Sequence, residues 1–382
     1  MTTELTQEQL SKIEQEEQDK LDKLSHELNQ TLKIAVIGKV SAGKSSLLNA
    51  FFNRTRENPL AHVGAVSGVT TKVKEFSLSK NVSIFDSPGL GDVIDTNSQE
   101  TRNHMGEIDV GILVVSDSAD VSQKQHYDEL KLHCKHVFVV LNKIDMYDKK
   151  KAALQKLTEQ WHEVLGMSQD EKIYQTCADG YDPDTDEDYE LDIRGVDELR
   201  TDVLAFLAKH GKSLLLEREL MAKSALARKA VYTCMVAVAG FAFIPGSAIY
   251  ISGAQAAAIM SIHYIYTGEL ISKHHAVAAI PLFASQSIGS NLFLLAKSFL
   301  PPTGVLDIAA AGVAASVTLA MLSTVNWMYE NGYNFDNKSE IKEQYEKFYK
   351  MLKDLGFKEI LETVKKRDTQ AIMNLISRFI KD

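Results

Sequence analysis

One stretch in the first part of the chain limits most strongly what the whole can fold into. Gly38 to Ser46 reads G-K-V-S-A-G-K-S-S and stands between an apolar run, 32–37, and a helix-forming run, 47–52. In the pattern G-x-x-x-x-G-K-[ST], glycines let successive backbone N–H groups wrap around a phosphate group, and the positive end of the following helix adds to the attraction. The stretch therefore predicts a strand, a phosphate-binding loop and a helix, in that order.

The loop and the first helical turn supply the candidate phosphate contacts. These residues are Gly38, Val40, Ser41, Ala42, Gly43, Lys44, Ser45 and Ser46. In this motif the lysine, here Lys44, reaches the outer phosphates of a nucleotide, and the hydroxyl group of Ser45 binds Mg²⁺. The alternative is a glycine-rich turn with a surface lysine, but that does not account for the complete motif between a strand and a helix.

A second motif, Asn142-Lys143-Ile144-Asp145, follows the apolar run 137–141 and points to the base. A carboxylate at the position of Asp145 accepts hydrogen bonds from the ring N–H and the exocyclic amine of guanine, an arrangement that adenine does not offer. A buried carboxylate that loses one of these partners costs on the order of 1–3 kcal/mol, so the pairing discriminates between bases. Asn142, Lys143 and Asp145 are therefore candidate contacts to GTP or GDP.

Two shorter motifs complete the predicted site. The tetrapeptide D-S-P-G begins at Asp86 and ends at Gly89. A D-x-x-G motif of this kind holds Mg²⁺ through water with its aspartate and meets the γ-phosphate with its glycine. The tripeptide T-C-A begins at Thr176 and adds Cys177 and Ala178 as candidate nucleotide contacts, with the backbone N–H of Ala178 as a donor to the guanine oxygen.

These motifs, in this order, resemble the small G domains of the translation-factor-like superclass, and within it the Era-like and dynamin-like branches. The resemblance covers residues 32 to about 210. The segment G-V-T-T-K at 68–72 is similar to the G-x-T-T-R of the Era-like group, which implies that Thr71 is a further Mg²⁺ ligand, although Lys72 departs from the usual arginine. The resemblance implies an enzyme that binds GTP and GDP with Mg²⁺ and hydrolyses GTP to GDP and phosphate.

Strands that alternate with helices predict a mostly parallel sheet covered on both faces. The predicted strands are 32–37, 72–79, 82–86, 109–116, 136–141 and 172–176. Because only residues 80–81 separate the second strand from the third, these two form a hairpin and the single antiparallel edge. The fold class is α/β: a P-loop G domain at 31–211 with a six-stranded sheet, plus an all-α domain built from the N-terminal helix and the C-terminal half.

The N-terminal segment 1–30 is polar and predicts one helix whose narrow apolar seam is interrupted by Glu17. Thr6 and Gln9 predict a capping box at its start. The seam suits either a coiled-coil dimer or packing near the chain's own helical domain at 212–382, and the second is favoured because the repeat is short. Amphipathic helices are predicted at 338–382.

Three runs in the C-terminal half contain no Asp, Glu, Lys or Arg, and they predict apolar helices between 230 and 329. The runs are 230–268, 276–296 and 308–329. Each reaches the roughly 20 residues that cross a bilayer, but their Ala, Gly and Ser content makes insertion marginal. Two alternatives stay open. In the first, small residues let helices approach closely in a buried bundle or in a membrane bundle; in the second, a hairpin at 231–251 dips into a membrane. Membrane lipid is the favoured partner, because basic residues before the run suit an anionic leaflet.

Composition narrows the cellular setting. The formal net charge of −9 argues against a general nucleic-acid binder. The three cysteines lack metal-binding spacing and suit a reducing cytosol. No short apolar core follows basic residues at the N-terminus, so a cleaved secretory signal is not expected. The expected location is cytoplasmic, at the inner face of a membrane.

Hydrolysis depends on what holds the attacking water. Ras-like domains carry a glutamine directly after D-x-x-G for this purpose, whereas Leu90 follows Gly89 here. The expected catalytic residues are Lys44, Ser41, Thr71 and Gly89, and hydrolysis by the isolated chain is expected to be slow. Ser41 resembles the serine of dynamin-like phosphate loops, which implies a monovalent cation, K⁺ or Na⁺, and a homodimer through the G domain. Alternatively, Ser41 is only a small loop residue.

Three functions from different classes follow. The first is a GTP hydrolase that dimerises with nucleotide and acts at a membrane, and the order N-terminal helix, G domain, helical domain is similar to that of immunity-related GTPases. The second is an Era-like switch in ribosome or RNA assembly, which the negative charge disfavours. The third is a scaffold that binds GTP without turnover.

The acidic tract 179–192 is expected to be a solvated insertion.

Overall fold

The chain forms two compact units. The computed structural model describes residues 6–63, 74–87, 108–168, 170–186, 188–241, 247–284 and 306–381. One unit, called here the α/β unit, is Gln30–Leu220, and the other, the helical unit, is Met1–Asn29 with Met221–Asp382. The boundary expected from the sequence, at residue 211, therefore differs from the observed one.

The α/β unit contains a six-stranded sheet with the order β2-β3-β1-β4-β5-β6. The strands are β1 (Leu32–Ile37), β2 (Lys74–Ser79), β3 (Val82–Ser87), β4 (Ile108–Val115), β5 (Cys134–Leu141) and β6 (Ile173–Gln175). Strand β2 runs antiparallel to β3, and the other neighbouring pairs are parallel. The predicted α/β fold with a mostly parallel six-stranded sheet and one antiparallel edge is confirmed.

Helices alternate with these strands, as the sequence predicts. One helix, α1 (Gln7–Leu28), precedes the sheet and belongs to the helical unit. The helices of the α/β unit are α2 (Lys44–Phe51), α3 (Val121–His133), α4 (Lys151–Leu165), α5 (Val196–Lys209) and α6 (Ser213–Leu220). Every residue of β4 is buried, so the sheet is covered on both faces at its centre.

A short two-stranded ribbon follows the sheet and was not predicted. It consists of β7 (Cys177–Ala178) and β8 (Ile193–Arg194), which run antiparallel. The described part of the acidic tract between them is mostly exposed, as expected for a solvated insertion. Two tyrosines of the tract make hydrogen bonds: the Tyr189 hydroxyl donates to Asp179 at 2.9 Å, and the Tyr181 hydroxyl donates to the backbone oxygen of Arg54 at 2.8 Å.

A buried ion pair lies at the amino-terminal ends of β1 and β4. Asp109 is 2% exposed, and its carboxylate accepts hydrogen bonds from Nζ of Lys212 at 2.7 and 2.8 Å and from Nζ of Lys135 at 2.8 Å. Nζ of Lys212 also donates to the backbone oxygen of Thr31 at 2.6 Å. This pair ties the chain after α5 to the sheet, which explains why α6 belongs to the α/β unit.

We expect Asp109→Asn to lower the free energy of unfolding of the α/β unit by about 2–3 kcal/mol, because the buried Lys212 ammonium then faces a neutral amide. Urea unfolding followed by the fluorescence of Trp161, with Trp327 replaced by Phe, measures this. The matched control is Asp128→Asn, which breaks only an exposed contact with Lys124 and costs less than about 0.5 kcal/mol. Equal losses for the two variants would contradict a special role for the buried pair.

The helical unit joins α1 to the helices after residue 221. They are α7 (Lys223–Phe241), α8 (Ser247–Thr267), α9 (Lys273–Ala284), α10 (Leu306–Glu330), α11 (Lys338–Leu355), α12 (Phe357–Lys365) and α13 (Thr369–Ile376). The capping box at the start of α1 is present: the backbone N–H of Thr6 donates to the Gln9 side chain at 2.8 Å, and the backbone N–H of Gln9 donates to the Thr6 hydroxyl at 3.2 Å. The amphipathic tail thus contains α11, α12 and α13.

Helix α1 packs on α8 through a contact that its sequence pattern does not predict. Glu17, which interrupts the apolar seam, is only 7% exposed, and its carboxylate accepts a hydrogen bond from Lys20 at 2.6 Å. A Cβ atom on Gly253 of α8 would come within 2.2 Å of this carboxylate. The glycine is therefore what admits Glu17, while Leu21 joins the apolar core of the unit.

Two helices of this unit are long and apolar enough to span a membrane by length and composition. They are Ser247–Thr267 and Ala311–Glu330, and the buried share of their apolar stretches is 44% and 78%. The second carries polar side chains that are partly satisfied inside the unit: the amide of Gln255 donates to Thr318 at 2.7 Å and Tyr266 donates to Asn326 at 2.8 Å. Within the described part of the chain, Oγ of Ser323 and Nδ2 of Asn326 are buried without a hydrogen-bond partner. The predicted break at 245–246 lies outside the described residues.

Candidate guanine nucleotide site

The loop between β1 and α2 turns tightly around two glycines. A Cβ atom on Gly38 would lie 2.1 Å from the backbone oxygen of Val114 in β4, and one on Gly43 would lie 2.3 Å from Nδ2 of Asn142. Gly43 also adopts a φ of 88°, and Ser41 a φ of 65°. At both positions, neighbouring atoms occupy the space that a side chain would need. Only glycine therefore permits this tight course of the loop.

Positive charge and a helix N-terminus meet at this loop. Lys44 begins α2 and is 5% exposed, and its Nζ donates to the backbone oxygens of Gly38 at 2.9 Å and Lys39 at 3.0 Å. The ammonium group therefore lies against the loop that it follows. Ser45 and Ser46 stand in the same first turn of α2, at the end of a helix that attracts anions.

Asn142 connects the phosphate loop to the base-reading end of the site. It follows β5, is 2% exposed, and its Nδ2 donates to the backbone oxygens of Ala42 at 3.1 Å and Gly43 at 3.4 Å. Its Oδ1 accepts a hydrogen bond from the hydroxyl of Thr176 at 3.0 Å. The carboxyl ends of β1, β5 and β6 thus meet at one edge of the sheet, where α/β proteins bind ligands.

The base-reading segment is a tight turn after Asn142. Lys143 has a left-handed φ of 63°, and Ile144–Tyr147 then forms a single turn of 3₁₀ helix that carries the half-buried Asp145. Cys177 and Ala178 are buried beside it in β7. Burial and a hydrogen bond to the Asp145 carboxylate raise the pKa of the Cys177 thiol to about 12. The thiol therefore keeps its proton at neutral pH and donates a hydrogen bond to Asp145.

Two supports of the phosphate loop were not predicted, because each depends on a contact between residues far apart in the chain. Arg200 of α5 donates to the backbone oxygens of Ala50 and Phe51 at 2.9 Å each and so caps the last turn of α2. Lys39 of the loop pairs with Asp120, the N-cap residue of α3, and this lysine holds the pKa of Asp120 down to about 2. Both contacts hold the loop and α2 in place.

The predicted Mg²⁺ ligands are described only in part. Thr71 and Gly89 lie outside the described residues. The backbone of Asp86 lies in β3 opposite Val36 of β1, which leads into the phosphate loop. The hydroxyl group of Ser45, in the first turn of α2, is a hard oxygen donor of the kind that Mg²⁺ prefers, so this residue fits the ion.

Residues 33–143 match the family described as "50S ribosome-binding GTPase". This range begins in β1, includes the phosphate loop, and ends at Lys143. The α/β unit is a P-loop GTPase domain. The match confirms the P-loop G domain predicted from the motifs. The dynamin-like and immunity-related resemblance stays a prediction.

Curated relatives of the chain are longer proteins. The tRNA modification GTPase MnmE of Thermoanaerobacter sp. is 30% identical over 203 residues, which cover 51% of this chain and 42% of that protein. MnmE of Aliarcobacter butzleri is 30% identical over 152 residues, which cover 34% of this chain and 33% of that protein. The chain thus spans less than half the length of either relative.

Solved structures also show similarity to part of the chain. The structure of Era in complex with MgGDPNP and a segment of 16S ribosomal RNA is 21% identical and has a TM-score of 0.32. The matched part covers 46% of this chain and 57% of that one.

Proposed function

We propose that this protein binds GTP and GDP with Mg²⁺ and is a slow GTP hydrolase whose turnover rises on dimerisation through its GTPase domain. The observation that carries the proposal is the double contact of Asn142, whose amide reaches the phosphate loop at Ala42 and also the Thr176 hydroxyl. One buried side chain thus joins the phosphate end of the site to its base end. Phosphates and guanine therefore bind as parts of one ligand.

The roles of the catalytic residues follow from the motifs in which they stand. Lys44 offers its ammonium group to the outer phosphates, where a charge-assisted hydrogen bond strengthens as negative charge develops. Ser45, Thr71 and Asp86 are the residues that hold Mg²⁺, which supplies further neutralisation of phosphate charge when it is bound. Gly89 offers a backbone N–H to the γ-phosphate.

Faster GTP hydrolysis requires a further group, because the side chain of Leu90 cannot orient the attacking water molecule. Ser41 is exposed on the outer side of the phosphate loop and has a left-handed backbone, so its carbonyl and hydroxyl groups are open to an approaching ion or subunit. We place a monovalent cation, K⁺ or Na⁺, at Ser41 in a homodimer that meets through the nucleotide face. A cation aimed at developing charge contributes about 3–4 kcal/mol to the transition state.

Specific activity is therefore expected to rise with protein concentration and with K⁺ or Na⁺. Ser41→Ala should lower turnover at least about tenfold and change GTP affinity less than about threefold, because the ion acts mainly in the transition state. Turnover at two protein concentrations, with each cation and with neither, measures this. Val40→Ala is the control: it trims an exposed side chain but keeps the backbone N–H that the motif offers to phosphate, so it should keep full activity. Equal rates in all conditions would exclude the mechanism and favour a separate activating protein.

We further propose that the helical unit brings the protein to the inner face of a membrane from the cytoplasm. In support, 230–268 has no charged residue, and less than half of the apolar stretch of α8 is buried inside the unit. These helices have the length for a bilayer but only marginal hydrophobicity, so surface association is favoured over spanning.

We expect the full chain to co-sediment with anionic liposomes. Ile249→Glu, on the half-buried face of α8, should lower the bound fraction at least about fivefold, because a carboxylate enters the interface poorly. Met351→Glu on α11 replaces another exposed apolar side chain and should leave binding unchanged. A wild-type chain that stays in the supernatant would instead favour a soluble bundle that binds other proteins.

A switch in ribosome or RNA assembly is the second candidate function. The matched family is described as ribosome-binding, and the two curated relatives named above are tRNA modification GTPases. The net charge of −9 weighs against a broad RNA contact. RNA binding that depends on GTP, without liposome binding, would favour this candidate, and nucleotide binding without turnover in any condition would favour a scaffold.

A further inference from the structure

One arginine forms hydrogen bonds with two carboxylates next to the base-reading end of the site. Arg194 of β8 donates through Nη1 and Nη2 to the two carboxylate oxygens of Asp148, at 2.8 and 3.1 Å. Its Nε and Nη2 donate to the two oxygens of Asp192, both at 2.9 Å. The planar guanidinium group thus makes a two-pronged contact on each side, a geometry that a lysine cannot reproduce.

One carboxylate lies beside the turn that carries Asp145, and the other directly precedes β8, the strand that pairs with the Cys177 strand. Asp148 directly follows the 3₁₀ turn that carries Asp145, and its backbone N–H donates to the backbone oxygen of Asp145 at 3.1 Å. Arg194 itself pairs with Cys177 across the ribbon, so its backbone is fixed to the strand that leads to Ala178. The same residue therefore holds the Asp145 turn and the Cys177 strand together.

We propose that Arg194 is a positioning residue that sets guanine specificity by fixing Asp145 relative to Cys177 and Ala178. The inference rests on the proposed function, since it concerns how the same site recognises its base. Without the guanidinium group, the carboxylates of Asp148 and Asp192 face each other with like charge. Their repulsion moves the Asp145 turn away from the ribbon, and the bond between Asp145 and the exocyclic amine of guanine lengthens.

Burial and charge agree with this role. The side chain of Arg194 is 39% exposed, so a single ion pair here would contribute little to stability. Its four hydrogen bonds to two carboxylates, however, form a network with near-ideal geometry. The guanidinium group also holds the pKa of the Asp148 carboxyl below its usual value. The contact of Arg194 with the two carboxylates therefore affects the geometry of the base-reading site and the choice of base more than it affects folding.

The test compares GDP with inosine diphosphate, whose base lacks the exocyclic amine that Asp145 binds. The wild-type chain should prefer GDP by roughly ten- to hundredfold, as expected for a hydrogen bond to a carboxylate. Arg194→Ala should reduce that preference by about tenfold, while affinity for inosine diphosphate changes less than about threefold. Arg194→Lys, which can contact only one carboxylate well, should lie between the two.

Lys172→Ala is the matched control. Lys172 contacts the carboxylates of Glu198 at 2.8 Å and Asp202 at 2.6 Å, with an exposure close to that of Arg194, but neither partner belongs to the base-reading turn. This variant should keep the full preference for GDP. In the double variant Arg194→Ala with Asp148→Asn, the repulsion is removed and at least half of the lost preference, on a logarithmic scale, should return.

Three results would overturn the inference. One is an unchanged preference in Arg194→Ala, a second is an equal loss for both nucleotides, and a third is a double variant no better than the single one. These differ from a failure of the proposed function itself, in which the wild-type chain binds neither diphosphate or binds ADP equally well.

Discussion

Lys44→Ala should abolish binding of both GTP and GDP, with a loss of affinity of roughly a thousandfold. The ammonium group lies against the loop, bonded to the backbone oxygens of Gly38 and Lys39, and is poised to exchange these contacts for phosphate oxygens. Charge-assisted hydrogen bonds to phosphate contribute roughly 1.5–3 kcal/mol each, so the loss of two accounts for the expected effect. Titration with a fluorescent GDP analogue measures it.

The matched control is Lys39→Ala, which removes a lysine from the same loop. Lys39 is paired with Asp120 at the start of α3, so its charge is already balanced and its loss should lower affinity less than about tenfold. Thermal unfolding of both variants without nucleotide separates a binding defect from a folding defect. If Lys44→Ala folds normally and keeps the affinity of the wild type, the assignment of phosphate binding to this loop is wrong.

Asp145→Asn should exchange guanine for xanthine. The carboxylate only accepts hydrogen bonds, whereas an amide both donates and accepts, and xanthine carries a carbonyl where guanine carries its amine. Affinity for GDP should fall and affinity for xanthosine diphosphate should rise, each by about a hundredfold. Competition between the two diphosphates for the same preparation of protein gives both values at once.

Asp182→Asn makes the same chemical change in the acidic tract between β7 and β8 and should leave both affinities unchanged. The Cys177 thiol can donate a hydrogen bond to the new amide oxygen, as it does to the Asp145 carboxylate. The base-reading turn should therefore stay in place in Asp145→Asn. Loss of GDP affinity with no gain for xanthosine diphosphate would show that the turn has collapsed or that Asp145 does not meet the base.

The parts of the site that sequence predicts are those encoded by neighbouring residues. The apolar run before Gly38 and the helix after Gly43 specify strand, loop and helix locally, and the structure shows all three at the predicted positions. The same holds for the hairpin between β2 and β3, whose connection is too short for anything else.

The parts that sequence does not predict depend on distant residues that the fold brings together. Strands β7 and β8 have two residues each, too few to show alternation, and Arg194 is recognisable as a clamp only once it faces Asp148. Glu17 breaks an apolar pattern, yet it is buried because Gly253 leaves room for it. Each of these cases is a tertiary contact overriding a local pattern.

The contact of Lys212 with Thr31 has a consequence for how the chain is assembled. It joins the point where the chain enters the α/β unit to the point near which it leaves, so residues 30–220 form an insertion within the helical unit. Helix α1 is synthesised first but must wait for α8, the partner on which it packs, until the whole insertion has emerged. When the GTPase domain folds, it brings together the two ends of the long segment between α1 and α7. The helical unit can then form without paying the loop-closure entropy of that segment again.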